Sequence, residues 1–169
     1  SVKSLKGPGR PVIGATERVR ILSALDSVDY VVVFATNEYA RLVAIRPGSP
    51  ASIVWEGDEY LPEVSSPVVD GGLLYIATSY GVLACYDAQT GEKYWEHECD
   101  VGFYASPVIA EGKVYALDME GAMHIFSNAK EKKPIAEPEL GEKAVATPAF
   151  ANGKVYVRGE SNLFCIGEQ

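Results

Sequence analysis

The sequence predicts an all-β chain folded as a β-propeller of four-stranded antiparallel blades. Three observations carry this. Ser66-Pro67-Val68-Val69 returns as Ser106-Pro107-Val108-Ile109 and again as Thr147-Pro148-Ala149-Phe150, a spacing of 40 and then 41 residues. Each copy leads through a tight turn into a Tyr-bearing strand: Leu74-Tyr75-Ile76, Val114-Tyr115-Ala116 and Val155-Tyr156-Val157. Within a period the apolar runs are short, rich in β-branched and aromatic residues, and separated by Gly, Asp and Asn. A period near ~40 made of short strands is the mark of a propeller blade.

The copy over 62–101 is the clearest. Residues 66–69 form a short strand, and Asp70-Gly71-Gly72 turns the chain because Gly supplies positive φ. Residues 73–78 and 82–86 are the next strands, joined by Ser79-Tyr80-Gly81. In the loop 87–91 the Asp87 carboxylate can accept backbone N–H groups further on, and Gly91 can take a left-handed conformation. Residues 93–98 are the outer strand, carrying Trp95.

The copy over 102–143 repeats the plan, with turns at Glu111-Gly112 and Glu120-Gly121, a third strand at 123–126, and a charged loop at 127–133 before Pro134-Ile135 enters the outer strand. The copy over 144–169 turns at Asn152-Gly153, a strong type I′ signal, and ends on its third strand at 163–166, so this blade is expected to be incomplete. A degraded copy over 18–61 comes first, with strands at 19–25, 30–35, 42–45 and 53–56; Trp55 lies 40 residues before Trp95. Residues 1–17 hold Gly7-Pro8-Gly9 and Pro11, which argue against a helix or a central strand. They read either as an N-terminal extension left from an earlier blade or as a closing strand for the last blade through Val12-Ile13.

With 169 residues the chain is long enough for a real core, and its 47% apolar and 22% charged content is that of an ordinary globular protein. A net charge of −8 disfavours nucleic acid and anionic membrane as partners, since both need clustered Lys and Arg. No apolar run approaches the ~20 residues of a membrane span, so no membrane insertion is expected. Cys85 and Cys165 occupy one position in repeats that are not neighbours, and Cys99 lies beyond reach of Cys85 along their hairpin; three free thiols are expected.

The run Gly81-Val82-Leu83-Ala84-Cys85-Tyr86-Asp87-Ala88-Gln89-Thr90-Gly91-Glu92-Lys93-Tyr94-Trp95-Glu96, following Ser66-Pro67-Val68-Val69 and Leu74-Tyr75-Ile76-Ala77-Thr78, resembles the pyrroloquinoline-quinone-like propeller repeat. The resemblance covers about 19–167. It implies a bacterial extracytoplasmic protein, periplasmic, cell-surface or secreted, in a family that holds both quinoprotein dehydrogenases and a barrel-assembly lipoprotein. Propellers of that family usually have seven or eight blades, and four are visible here. An open arc leaves apolar faces bare, and ~500 Å² of such area forgoes on the order of 10 kcal/mol of burial. The expectation is therefore the C-terminal part of a longer propeller, or self-association of two copies into a ring.

A quinone site in this family implies adjacent cysteines and a Trp stacked under the cofactor. Cys85, Cys99 and Cys165 are not adjacent, and Trp55 and Trp95 fall on outer strands, where packing between blades is expected. No cofactor is assigned. His97 is expected to be exposed near an outer-strand end, and His124 to be packed with a hydrogen-bond partner; two His with no Cys or carboxylate at ligand spacing are read as no metal site. Glu56, Asp58, Glu59, Glu96, Glu98 and Asp100 are read as edge charges that block strand addition. The binding candidates are the loop aromatics Tyr80, Phe103 and Tyr104, with Tyr39 as a further one. The function expected is a non-enzymatic scaffold or binding module for a protein or glycan partner. A fragment of a quinone-dependent oxidoreductase whose cofactor site lies outside the chain, and a sensor module, are the alternatives.

Overall fold

The computed structural model describes residues 31–34, 41–46, 50 and 52–167. They form strands, turns and connections, with no α-helix among them, and no helix long and apolar enough to cross a membrane. The chain divides into two compact units, Ser1–Leu61 with Gln89–Gly91, and Pro62–Ala88 with Glu92–Gln169.

The first unit holds β1 (Val31–Phe34), β2 (Leu42–Arg46) and β3 (Ser52–Gly57) in an antiparallel meander. Leu42 and Ala44, two apart and so on one face of β2, are buried. Arg41 and Glu56 pair at 2.6 Å on the exposed side. The expected strand at 19–25, the closing segment at Val12-Ile13 and the candidate Tyr39 lie outside the described residues.

The second unit contains three blades. The first is β4 (Val68–Asp70), β5 (Leu73–Ala77), β6 (Val82–Asp87) and β7 (Lys93–Glu98), and the second is β8 (Val108–Ala110), β9 (Lys113–Leu117), β10 (Met123–Ser127) and β11 (Pro134–Ala136). The third is β12 (Ala149–Ala151), β13 (Lys154–Arg158) and β14 (Leu163–Gly167), three strands among the described residues. The first turn of every blade is a two-residue loop with both φ angles positive: Gly71-Gly72, Glu111-Gly112 and Asn152-Gly153. That is the type I′ geometry whose twist matches the flanking strands.

Two further features recur with the period. The backbone N–H of Ser66 donates to Ser106 Oγ at 2.9 Å, and that of Ser106 donates to Thr147 Oγ1 at 3.0 Å. The Ser/Thr before each Pro therefore latches one blade to the next, which is why a hydroxyl recurs there. The outer strand of each complete pairing also carries one extra residue. Ala44 and Ile45 face Trp55 and Ile53, Cys85 and Tyr86 face Trp95 and Lys93, and Ile125 and Phe126 face Ala136 and Pro134. Val54, Tyr94 and Ile135 are the bulged residues, which strengthen local twist at the outer edge.

The core lies between blades. Tyr75, Cys85 and Trp95 on one blade pack against Val114, Ala116 and Phe126 on the next. Leu117 and Met123 then pack against Val157. Trp95 sits 5.3 Å from the Phe126 ring and 5.8 Å from Tyr75, and its Nε1 donates to the Ala129 carbonyl at 3.1 Å. Tyr75 donates to Asn128 Oδ1 at 2.8 Å, and Asn128 Nδ2 donates to Asp70 Oδ2 at 2.6 Å, so the charged loop before β11 is tied back to the preceding blade.

Candidate functional site

Within the second unit two features lie at the end of the blades where β5 turns into β6 and β9 into β10. The first is a row of exposed apolar side chains. Val64, Tyr104 and Val145 occupy one repeat position, each two residues before the latching Ser or Thr, and are 53%, 44% and 56% exposed. Tyr80, in the β5–β6 turn, is exposed as well. Of the aromatic candidates, then, Tyr80 and Tyr104 face solvent. Phe103 does not: it is fully buried, its ring meets His124 edge-on at 5.5 Å, and its N–H donates to the Thr78 carbonyl at 2.9 Å. Of these two neighbours Phe103 takes the inward place and Tyr104 the outward one.

The second feature is a cleft of about 490 Å³ between β7 and β10. On β7 the period of two sets Trp95, His97 and, just past the strand end, Cys99 on the face toward the next blade. The Cys99 N–H donates to the Gly81 carbonyl at 2.7 Å, which keeps that line straight. Gly81 has to be glycine, since a Cβ there would lie 2.2 Å from the Cys99 carbonyl oxygen, at φ +91°. On β10, His124 and Phe126 share the opposing face. Ligand atoms of His97, Cys99 and His124 lie within 4.8 Å of one another. Cys99 Sγ is 3.9 Å from His124 Nδ1, and Glu137 Oε2 is 3.4 Å from the same nitrogen.

His124 is held from behind. Asp118 is buried, and its Oδ1 accepts the N–H groups of Glu120, Gly121 and Ala122 at 3.0, 2.9 and 2.9 Å. Its Oδ2 is 3.2 Å from His124 Nε2. A carboxylate only accepts, so the neutral imidazole keeps its proton on Nε2 and turns the Nδ1 lone pair toward Cys99 and Glu137.

Burial, reinforced by the Glu137 and Asp118 carboxylates, pushes the Cys99 thiol up to about 12. Burial and then the Lys132 ammonium lower His97 from its ordinary value. A thiol held protonated is a poor nucleophile. His124 is packed with a partner, as the sequence suggests. His97 is not the exposed strand-end residue expected; its ring lies 5.0 Å from Phe126 and 5.5 Å from His124. Nor do the two histidines stand without a thiol or carboxylate: Cys99, Glu137 and Asp118 converge on them. The available signal was His97-x-Cys99 at strand period on the face that carries Trp95.

No two cysteines are adjacent among the described residues. Trp95 is committed to Tyr75, Phe126 and the Ala129 carbonyl, and the thiols of Cys85, Cys99 and Cys165 are free and dispersed from buried to exposed.

Comparison with known proteins completes the description. The chain is 44% identical over 64 residues to the bifunctional protein HldE of Desulfatibacillum aliphaticivorans, covering 37% of this chain and 12% of that protein. Among solved structures it is similar to BamB from Moraxella catarrhalis, with a TM-score of 0.70 at 17% identity, over 84% of this chain and 44% of that one. It is also similar to a europium-containing methanol dehydrogenase, with a TM-score of 0.51 at 14% identity, over 65% of this chain and 22% of that one. Identities this low speak for the fold, a β-propeller. The model of the family described as outer membrane protein assembly factor BamB matches residues 10–96 and 51–133, and the chain belongs to that family of pyrroloquinoline-quinone-like β-propellers.

Proposed function

We propose that the chain is part of a non-enzymatic propeller that docks a protein partner on the loop face bearing Val64, Tyr104 and Val145, in the periplasm or at the cell surface. One observation carries this reading: a single repeat position exposes an apolar side chain three times over. Scattered exposed apolar residues need no explanation, but recurrence at one structural position aligns them along one face. Tyr80 adds an aromatic at the same end. A glycan would call for aromatic platforms ringed by polar groups; two of the three positions in this row are valine, which favours a polypeptide. The family description, outer membrane protein assembly factor BamB, supports that compartment.

The test is photo-crosslinking in the producing cell from a benzophenone amino acid at 104 or 145, with position 111 on the opposite turn as control. The expected result is one defined adduct from 104 and 145, the adduct from 104 being lost when Val64 and Val145 are changed to Asp. Equal labelling from position 111, or none from either face position, overturns the reading. An adduct of twice the chain mass assigns the face to a second copy instead. Dye-linked alcohol oxidation on adding pyrroloquinoline quinone with calcium restores the quinoprotein alternative, for which the dehydrogenase likeness speaks.

A further inference from the structure

We propose that His97, Cys99 and His124, with Glu137 as fourth ligand, form a binding site for a zinc-class divalent transition ion that clamps β7 to the following blade. The inference is independent of the docking face.

The donor set is the first reason. Two imidazole nitrogens, one thiolate and one carboxylate are ordinary zinc ligands. With metal–nitrogen and metal–oxygen bonds of ~2.1 Å and a metal–sulfur bond of ~2.3 Å, tetrahedral edges run ~3.4 Å for N···N or N···O and ~3.6 Å for N···S. The Nδ1···Oε2 separation of 3.4 Å already matches, and the Nδ1···Sγ separation of 3.9 Å is close. The His97 separations from Cys99 and His124, within 4.8 Å, need contract by little more than an ångström, and Glu137 is exposed enough to swing.

The orientation is the second reason. Asp118 fixes His124 through Nε2, the carboxylate–histidine arrangement that sets a metal ligand's tautomer and raises its basicity. Without an ion, the Nδ1 lone pair faces a carboxylate oxygen, two acceptors turned on each other. A cation between them resolves this.

Charge is the third. One divalent ion with thiolate, carboxylate and two neutral imidazoles is neutral overall, and Glu98, Glu120 and Glu139 lining the same cleft favour entry of a cation. On binding, Cys99 loses its thiol proton to solvent as the metal–sulfur bond forms, so one proton is released per ion.

The experiment uses the full chain without an affinity tag, stripped with chelator and titrated with Co²⁺ alone. The expected result is a one-to-one endpoint with a thiolate-to-cobalt charge-transfer band in the near ultraviolet and the intense visible bands of tetrahedral cobalt, both erased by Zn²⁺. Cys99→Ser abolishes the charge-transfer band, whereas Cys85→Ser and Cys165→Ser leave it. Asp118→Asn weakens cobalt binding by ~10–100-fold. Far-ultraviolet circular dichroism verifies that each variant is folded; should Cys99→Ser fail to fold, X-ray absorption of the Zn²⁺-loaded unaltered chain, which is expected to show one sulfur neighbour at ~2.3 Å, reads the same ligation. Absence of a charge-transfer band, or its persistence in Cys99→Ser, overturns the proposal.

Discussion

Asp118 separates two kinds of stabilisation at one residue. Replacing it with Ala removes the acceptor of three turn amides and the partner of a buried imidazole. The three amides share one oxygen, and the Gly121 N–H keeps the Asp118 carbonyl at 3.2 Å, so the turn loses roughly what one charge-assisted bond contributes, about 1.5–3 kcal/mol. His124 Nε2, buried and left without its acceptor, adds about 1–3 kcal/mol. Asp118→Ala is therefore expected to cost about 2.5–6 kcal/mol. Asn keeps an oxygen for the amides and changes only what His124 meets, so Asp118→Asn should cost about 1–2 kcal/mol and move the His124 proton from Nε2 to Nδ1. Urea denaturation of the chelated protein followed by circular dichroism gives the energies, and long-range ¹⁵N–¹H correlation spectra give the tautomer. Equal losses for Asn and Ala, or an unmoved tautomer in Asp118→Asn, would refute the reasoning.

Three more outcomes are expected. Ser106→Ala should cost about 0.5–1.5 kcal/mol by losing the acceptor of the Ser66 amide, while Thr147→Ser, which keeps the hydroxyl, should be close to neutral; urea midpoints decide, and equal costs would remove the latch. Gly81→Ala should cost about 2–4 kcal/mol, because strain and a 2.2 Å clash add, whereas Gly112→Ala, at φ +70° with open space, should cost about 1 kcal/mol; matching losses in thermal melts would contradict this. At about pH 8 maleimide should label Cys165 rapidly and Cys85 only after unfolding, because burial raises the Cys85 thiol to about 11; protection of Cys165 in the native chain would indicate a covered face. The same shift gives stability that is fully present below the unfolded thiol's value of ~8.5 and is lost as pH climbs through about 11.

Local chemistry was the legible part. Gly71-Gly72, Glu111-Gly112 and Asn152-Gly153 announce their turns because a positive φ is a property of the turn itself, whatever packs around it. The strand period and the Tyr position likewise fall out of the repeat. Phe103 and Tyr104 are adjacent and look alike as loop aromatics, and only the packing of the folded chain separates a core ring from a surface one. The cluster needed a further step. His97 and Cys99 belong to one blade and His124 to the next, so their meeting depends on how two sheets stack, which no spacing within either copy records. The extra residue in each outer strand was equally hidden, since Val54, Tyr94 and Ile135 look like ordinary strand residues.

The latch between blades points one way. Each Ser amide is served by a hydroxyl from the blade that follows it in the chain, never from the one before. Removing the chain from Thr147 onward strips the Ser106 amide of its acceptor, while removing β4–β7 leaves the Ser106–Thr147 bond untouched. Shortening the chain from its two ends is thus unequal: losing the last blade leaves an amide without its acceptor, whereas losing the first leaves only a hydroxyl without its donor. In a one-dimensional stack whose stability is a sum over neighbours, such a bond gives the stack a polarity. A partner or a further blade that supplies a hydroxyl at the downstream side would be recognised by the same bond that already joins the blades to each other.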